Sequence, residues 1–193
     1  MKNMNRLIDE IKKRRAYRSL TPIPITEEII ETLANAAQLS PSCFNNQPWN
    51  YIFTYESVKL KHLFEALSKG NEWATQASMI ITVCVKKEDD CIIHDREYYL
   101  FDAGLSSAFL ILQATNMDLV AHPIAGYSPK KVREILHIPN DFMVITLIII
   151  GAHSPTLSPL LSEKQQKDEI KRPARKPLKT IIHHQLFTNG EIS

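Results

Sequence analysis

The 193-residue chain has no apolar run of membrane-spanning length. Its longest, Phe142 to Ile150 interrupted by Thr146, is about half of what a transmembrane helix requires, so no membrane partner is expected. Met1 to Glu10 lacks an apolar stretch of signal-peptide length, and a cytoplasmic location is expected. A formal net charge of only +2 is too small to advertise nucleic acid, and no helix-turn-helix or RNA-binding signature accompanies it. The 3 cysteines, Cys43, Cys84 and Cys91, are odd in number and form no C-x-x-C pair, so neither a disulfide framework nor a zinc site is expected. His183-His184 reads as the surface of a terminal helix with no carboxylate close in sequence, and no metal is assigned. With 5 glycines and no Gly-rich loop, any phosphate must be held by cations.

What remains is the composition of a globular protein, 44% hydrophobic and 23% charged, which at this length predicts one domain over residues 1–193. Leu7, Ile8 and Ile11 predict a first helix ending near Arg14 or Arg15, and Pro22 and Pro24 hold the next segment extended. Thr26 caps a helix from Glu27 to about Leu39. Strands are predicted at Trp49–Tyr55, Ser78–Val85, Leu119–Ala121 and Phe142–Gly151. Val58 to Leu67 outlines a helix stopped by Gly70, and Ser128-Pro129 starts another that runs to about His137. Arg96 to about Asn116 carries the longest helical pattern and is apolar nearly all round; Gly104, Ser106 and Ser107 keep part of it thin enough for another helix, marking it as a dimer element. Residues 152–193, with a basic middle, read as an arm over the body or over a partner.

One stretch resists explanation by packing. Ser40-Pro41-Ser42-Cys43-Phe44-Asn45-Asn46-Gln47-Pro48-Trp49-Asn50 crowds four side-chain amides and two serines between a helix and a strand. Rigid uncharged amides suit a planar heteroaromatic ligand with alternating donors and acceptors, although such a loop also commonly satisfies its own backbone. Pro41-Ser42 followed by Asn45, Gln47, Pro48 and Trp49 resembles the P-S-x-x-N-x-Q-P-W loop of the FMN-dependent nitroreductase family. Upstream, Arg14-Arg15-Ala16-Tyr17-Arg18 resembles the same family's arginine motif, and the likeness runs from about Ile11 to His184.

The resemblance implies an α+β fold, a central, mostly antiparallel sheet flanked by helices, in an intertwined homodimer with two FMN sites at the subunit interface. It implies that Arg14, Arg15, Ala16 and Arg18 wrap the cofactor, Arg14 at the phosphate and Arg18 near the flavin N1 edge. Pro41, Ser42, Asn45 and Gln47 would lie against the flavin, and Asn71 at its pyrimidine. Pro123-Ile124-Ala125-Gly126 would present the Ala125 backbone N–H to N5. Arg175, with Lys176 or Arg172, would close on the phosphate. Two departures are visible: Ala16 replaces the usual serine, and Ala125 a frequent glutamate. The activity implied is hydride transfer from NADH or NADPH through the flavin to a small-molecule acceptor such as a nitroaromatic or quinone, with no side chain as acid or base. An FMN storage or sensor protein and a reductive dehalogenase are the alternatives. Cys43 has no histidine near it in sequence and is not read as a nucleophile.

Overall fold

The computed structural model describes residues 6–187. The chain runs through α1 (Arg6–Lys13), β1 (Leu20–Thr21), α2 (Glu27–Gln38), β2 (Trp49–Thr54), α3 (Ser57–Phe64) and β3 (Met79–Lys86). It continues through β4 (Ile92–Ile93), β5 (Arg96–Glu97), α4 (Tyr99–Asn116), β6 (Leu119–Ile124), α5 (Pro129–Leu136), β7 (Phe142–His153) and α6 (Glu163–Ile170). Local chemistry places the ends. Thr26 accepts a hydrogen bond from the Ile29 N–H at the start of α2, and Ser128 one from the Lys131 N–H at the start of α5. Gly70, at φ 93°, takes the left-handed turn after α3, where a side chain would be strained.

Every pairing in the main sheet is antiparallel, in the order β1-β7-β3-β2 with β6 also on β7. β3 and β7 lie at its centre and alternate between two cores. Ile80, Cys84, Leu147 and Ile149 point to the face covered by Leu60 and Leu63 of α3 and Val132 of α5. Met79, Ile81, Val83, Ile148 and Ile150 point to the face covered by Leu33 and Ala37 of α2 and Leu110 and Ala114 of α4. A strand covered on both faces needs apolar residues at every position, which is why both read as continuous apolar runs.

Several expectations are corrected. The long helix begins at Tyr99, because Arg96 and Glu97 pair with Ile93 and Ile92 as a small hairpin. Ser106 and Ser107 of that helix are buried within the chain: Tyr51 Oη lies 2.8 Å from Ser106 Oγ, which itself donates to the Ala37 carbonyl. The thin part of α4 therefore packs against α2 and β2, while Gly104 faces open space. β6 extends past the expected end at Ala121 to Ile124, so the strand takes in His122, Pro123 and Ile124. Asn71-Glu72-Trp73 enters a short 3₁₀ turn, Glu72–Gln76. No helix forms at His183-His184, where His183 stacks on Phe187 at 4.2 Å.

The cysteines are corrected too: Cys43 and Cys91 form a disulfide, and Cys84 is the free, buried thiol. The β2–β3 register explains the pairing. Trp49 lies opposite Val85, and Cys43 and Cys91 each stand six residues beyond that pair, so the antiparallel ladder brings the two segments together. Among the described residues no helix is long and apolar enough to cross a membrane.

Candidate functional site

The arginine motif follows α1 and is folded against the C-terminal arm. A cavity of about 180 Å³ is lined by Arg14, Arg15, Ala16 and Arg18 from one side and Asp168, Arg172 and Arg175 from the other. Glu169 at the end of α6 fixes this apposition: its buried carboxylate accepts the backbone N–H groups of Arg18 (2.9 Å) and Ser19 (2.8 Å). Arg15 adds hydrogen bonds to the carbonyls of Asp168 and Glu169, at 2.8 and 2.9 Å. Arg172 in turn donates to the Arg14 carbonyl.

Arg14, Arg172 and Arg175 make no ion pair with a carboxylate among the described residues. Partial burial pulls the Arg14 guanidinium below its ordinary pKa, and the charges of Arg172 and Arg175 pull it further. Like charges held together without a counter-ion are destabilised, and an anion in the cavity relieves them. A phosphate group fits this donor set. Lys176 is exposed and does not line the cavity, so the convergent tail cations are Arg172 and Arg175.

The end of β6 adjoins the arginine motif. His122 is buried, its Nδ1 lies 3.0 Å from the Tyr17 carbonyl, and its ring sits 4.7 Å from that of Trp73. Burial pushes its pKa down to about 4, so the imidazole is neutral near pH 7 and Nδ1 donates to the carbonyl. Beyond it Ala125 is exposed, and the Gly126 carbonyl accepts the Asn71 side-chain amide at 2.9 Å. A Cβ on Gly126 would meet Asn71 Nδ2, so a side chain there would push the Asn71 amide out of this position. The structure thus brings Asn71 to Gly126, and the β6 strand to the arginine motif through His122 and Tyr17.

The amide loop lies elsewhere in the chain. Pro41, Ser42, Cys43 and Phe44 line a second cavity of about 350 Å³ with Ile93, Arg96, Phe101 and Asp102, and no residue is common to the two cavities. Asn45, Gln47 and Phe44 are exposed, with Phe44 84% so. Loop geometry is set by the Cys43 N–H donating to Asp102 at 2.6 Å and the Gln47 N–H donating to Ser42 Oγ at 3.0 Å. Three residues that are not glycine, Phe44, Asn45 and Gln47, take positive φ of 48°, 61° and 51°. One chain therefore holds two separate features, a cationic cavity and an exposed amide loop that lines a second cavity.

Glu169 and Asp102 were missed from sequence. Each acts through backbone N–H groups distant along the chain, and no motif announces such a partner.

The sequence model of the nitroreductase family matches residues 11–71, a span that includes the arginine motif, the amide loop and Asn71. The chain is similar to proteins of the nitroreductase family. A Bacillus subtilis (strain 168) protein named FMN reductase (NAD(P)H) is 22% identical, the match covering 97% of this chain and 77% of that one. A crystal structure described as an oxidoreductase containing FMN is 28% identical, covers 93% of this chain and 91% of its own, and superposes with a TM-score of 0.80. A nitroreductase family protein of Clostridium difficile 630, at 22% identity, covers 93% of this chain and 98% of its own with a TM-score of 0.75. The helix-flanked antiparallel sheet is thus that of nitroreductase family structures.

Proposed function

We propose that this chain is an FMN-dependent oxidoreductase that uses NADH or NADPH as electron donor. The convergence of Arg14, Arg172 and Arg175 in one cavity, where none of them ion-pairs with a carboxylate among the described residues although Asp168 also lines it, carries this reading. Bound there, FMN would supply uptake of a hydride from the nicotinamide and its delivery to a second small molecule, a nitroaromatic or quinone.

The chain's own residues bind and orient. Arg14, Arg172 and Arg175 hold the phosphate by charge-assisted hydrogen bonds. Arg18 would supply a fixed positive charge to a bound flavin, Asn71, held against Gly126, and the exposed Ala125 backbone would offer polar groups beside the end of β6, and neutral His122 keeps that strand in place through Tyr17. No side chain is asked to move a proton.

The amide platform is completed by a second copy of the chain. Leu7, Ile11, Leu39 and Phe109 are exposed apolar residues on α1, at the end of α2 and on α4, lining a groove of about 720 Å³ that needs a cover. A homodimer seated on this face would set Pro41, Ser42, Asn45 and Gln47 of one copy against the arginine cavity of the other, and residues 152–187 would act as the arm that closes the phosphate end of a single domain.

The test is reconstitution with FMN, desalting, and anaerobic addition of NADH or NADPH followed by a quinone or nitroarene. Retained flavin that bleaches and then recolours is expected, and Arg14→Ala should weaken FMN binding about 10-fold or more, as loss of a charged hydrogen bond implies. Retained flavin that stays yellow would favour an FMN storage or sensor protein, and a colourless protein would refute the flavin reading.

A further inference from the structure

We infer that Cys43 and Cys91 form a thiol–disulfide exchange site, open to small dithiols, whose redox state sets how tightly the amide loop holds its ligand. The inference rests on the reading of that loop as a flavin contact. It starts from how little else holds the loop. Phe44, Asn45 and Gln47 occupy left-handed backbone, which L residues adopt only where the surroundings enforce it. Yet Phe44, Asn45, Asn46 and Gln47 are exposed, so packing does not enforce it.

The enforcement is a set of ties. The Ser42 hydroxyl and the Asn45 carbonyl bond Gln47, but both lie within the loop and travel with it. Among the described residues three ties anchor it to the body: Cys43 N–H to Asp102, the Asn46 amide to Asp90 and Cys91, and the disulfide. The Asn46 contacts, both at 3.3 Å, end on the same short segment that the disulfide secures. The disulfide is thus the one covalent clamp on the loop, and Cα atoms 6.1 Å apart need no backbone movement to carry it.

The clamp can be reached. Cys91 is buried at 8% exposure, while Cys43 is half-buried and lines the cavity beside Phe101, Ile93 and Arg96. An external thiolate attacks Cys43 Sγ, forming a mixed disulfide and releasing Cys91, which takes up a proton. The second thiol of the reductant then displaces Cys43 and closes its own disulfide. Two electrons and two protons pass to the protein, and the dithiol is oxidised. Both released cysteine sulfurs take up their protons from solvent, while the backbone N–H groups of Cys91 and Cys43 stay bonded to Asp90 and Asp102.

Released from its clamp, the loop relaxes out of left-handed backbone, and ligand binding must restore it. Affinity therefore falls on reduction, by an expected tenfold or more. Coupling is reciprocal: FMN must shift the potential of the pair by about 30 mV to the negative for each tenfold preference for the oxidised form.

The experiment measures FMN affinity by flavin fluorescence on oxidised and dithiothreitol-reduced protein, with thiols counted after unfolding, one in the oxidised form and three in the reduced. The potential of the pair is then titrated in dithiothreitol buffers with and without FMN. Cys91→Ser is expected to bind FMN like the reduced protein under both conditions. Equal affinities, an unmoved potential, or three free thiols in the oxidised preparation would overturn the inference alone. Failure of either form to bind FMN would overturn the flavin reading with it.

Discussion

Substituting His122 by glutamine should flatten the acid limb of the protein's stability, by an amount the structure sets. His122 is buried against Trp73 and Tyr17, with Arg18 and Arg14 opposing its protonation and Glu169 only partly offsetting them. Its pKa falls from 6.5 to about 4. Above pH 6.5 the ring is neutral whether the chain is folded or not, and it costs nothing. As the pH falls, the unfolded chain takes up a proton that the folded chain refuses, so stability drops until the folded pKa is reached. At about 1.4 kcal/mol for each pH unit, the full loss is about 3.5 kcal/mol, of which about 2.5 kcal/mol has been lost by pH 4.5. Urea unfolding of flavin-free protein at pH 7.5 and 4.5 measures this. The native chain should lose about 2.5 kcal/mol more between the two than His122→Gln, since titrating carboxylates contribute alike to both. Parallel pH profiles, or a ring signal that titrates near 6.5 in the folded protein, would refute the reasoning.

Gly126→Ala should displace Asn71 and break its hydrogen bond to the Gly126 carbonyl, lowering stability by about 1 kcal/mol and weakening FMN binding, read by thermal unfolding and flavin retention. A variant with native flavin affinity would remove Asn71 from the site. Glu169→Ala leaves the Arg18 and Ser19 N–H groups without their acceptor, Ser19 in a buried position. A loss of about 1–3 kcal/mol is expected, together with faster proteolysis of the arm beyond His153; an arm that stays protected would mean that other contacts hold it.

Much of the fold was legible because local chemistry and burial agree. Thr26 followed by two glutamates announced α2, and the apolar runs of β3 and β7 announced strands, which the fold covers on both faces. Pro123 misled the reading of β6: proline normally ends a strand, but at an edge position its missing N–H breaks no ladder bond. The β4–β5 hairpin was not legible, its second strand reading as the start of the long helix, because two-residue strands carry no periodicity. The site followed the same division. Arg14, Arg18 and Arg175 were visible as a motif and a basic run, and the chain does bring them together. Glu169, which joins the two, and Cys91, which reaches the amide loop, depend on register and chain return, which no local pattern encodes.

Pro123 has a consequence beyond the site. Among the described residues β6 pairs with β7 alone, so its other side is an open sheet edge, and edges of this kind invite strands from other molecules. The exposed pyrrolidine ring offers no donor and blocks a continuous ladder in the middle of that edge. Sheet-to-sheet polymerisation along β6 is thereby disfavoured, and a substitution such as Pro123→Val, neutral for the interior, would be expected to show itself as aggregation in concentrated solution.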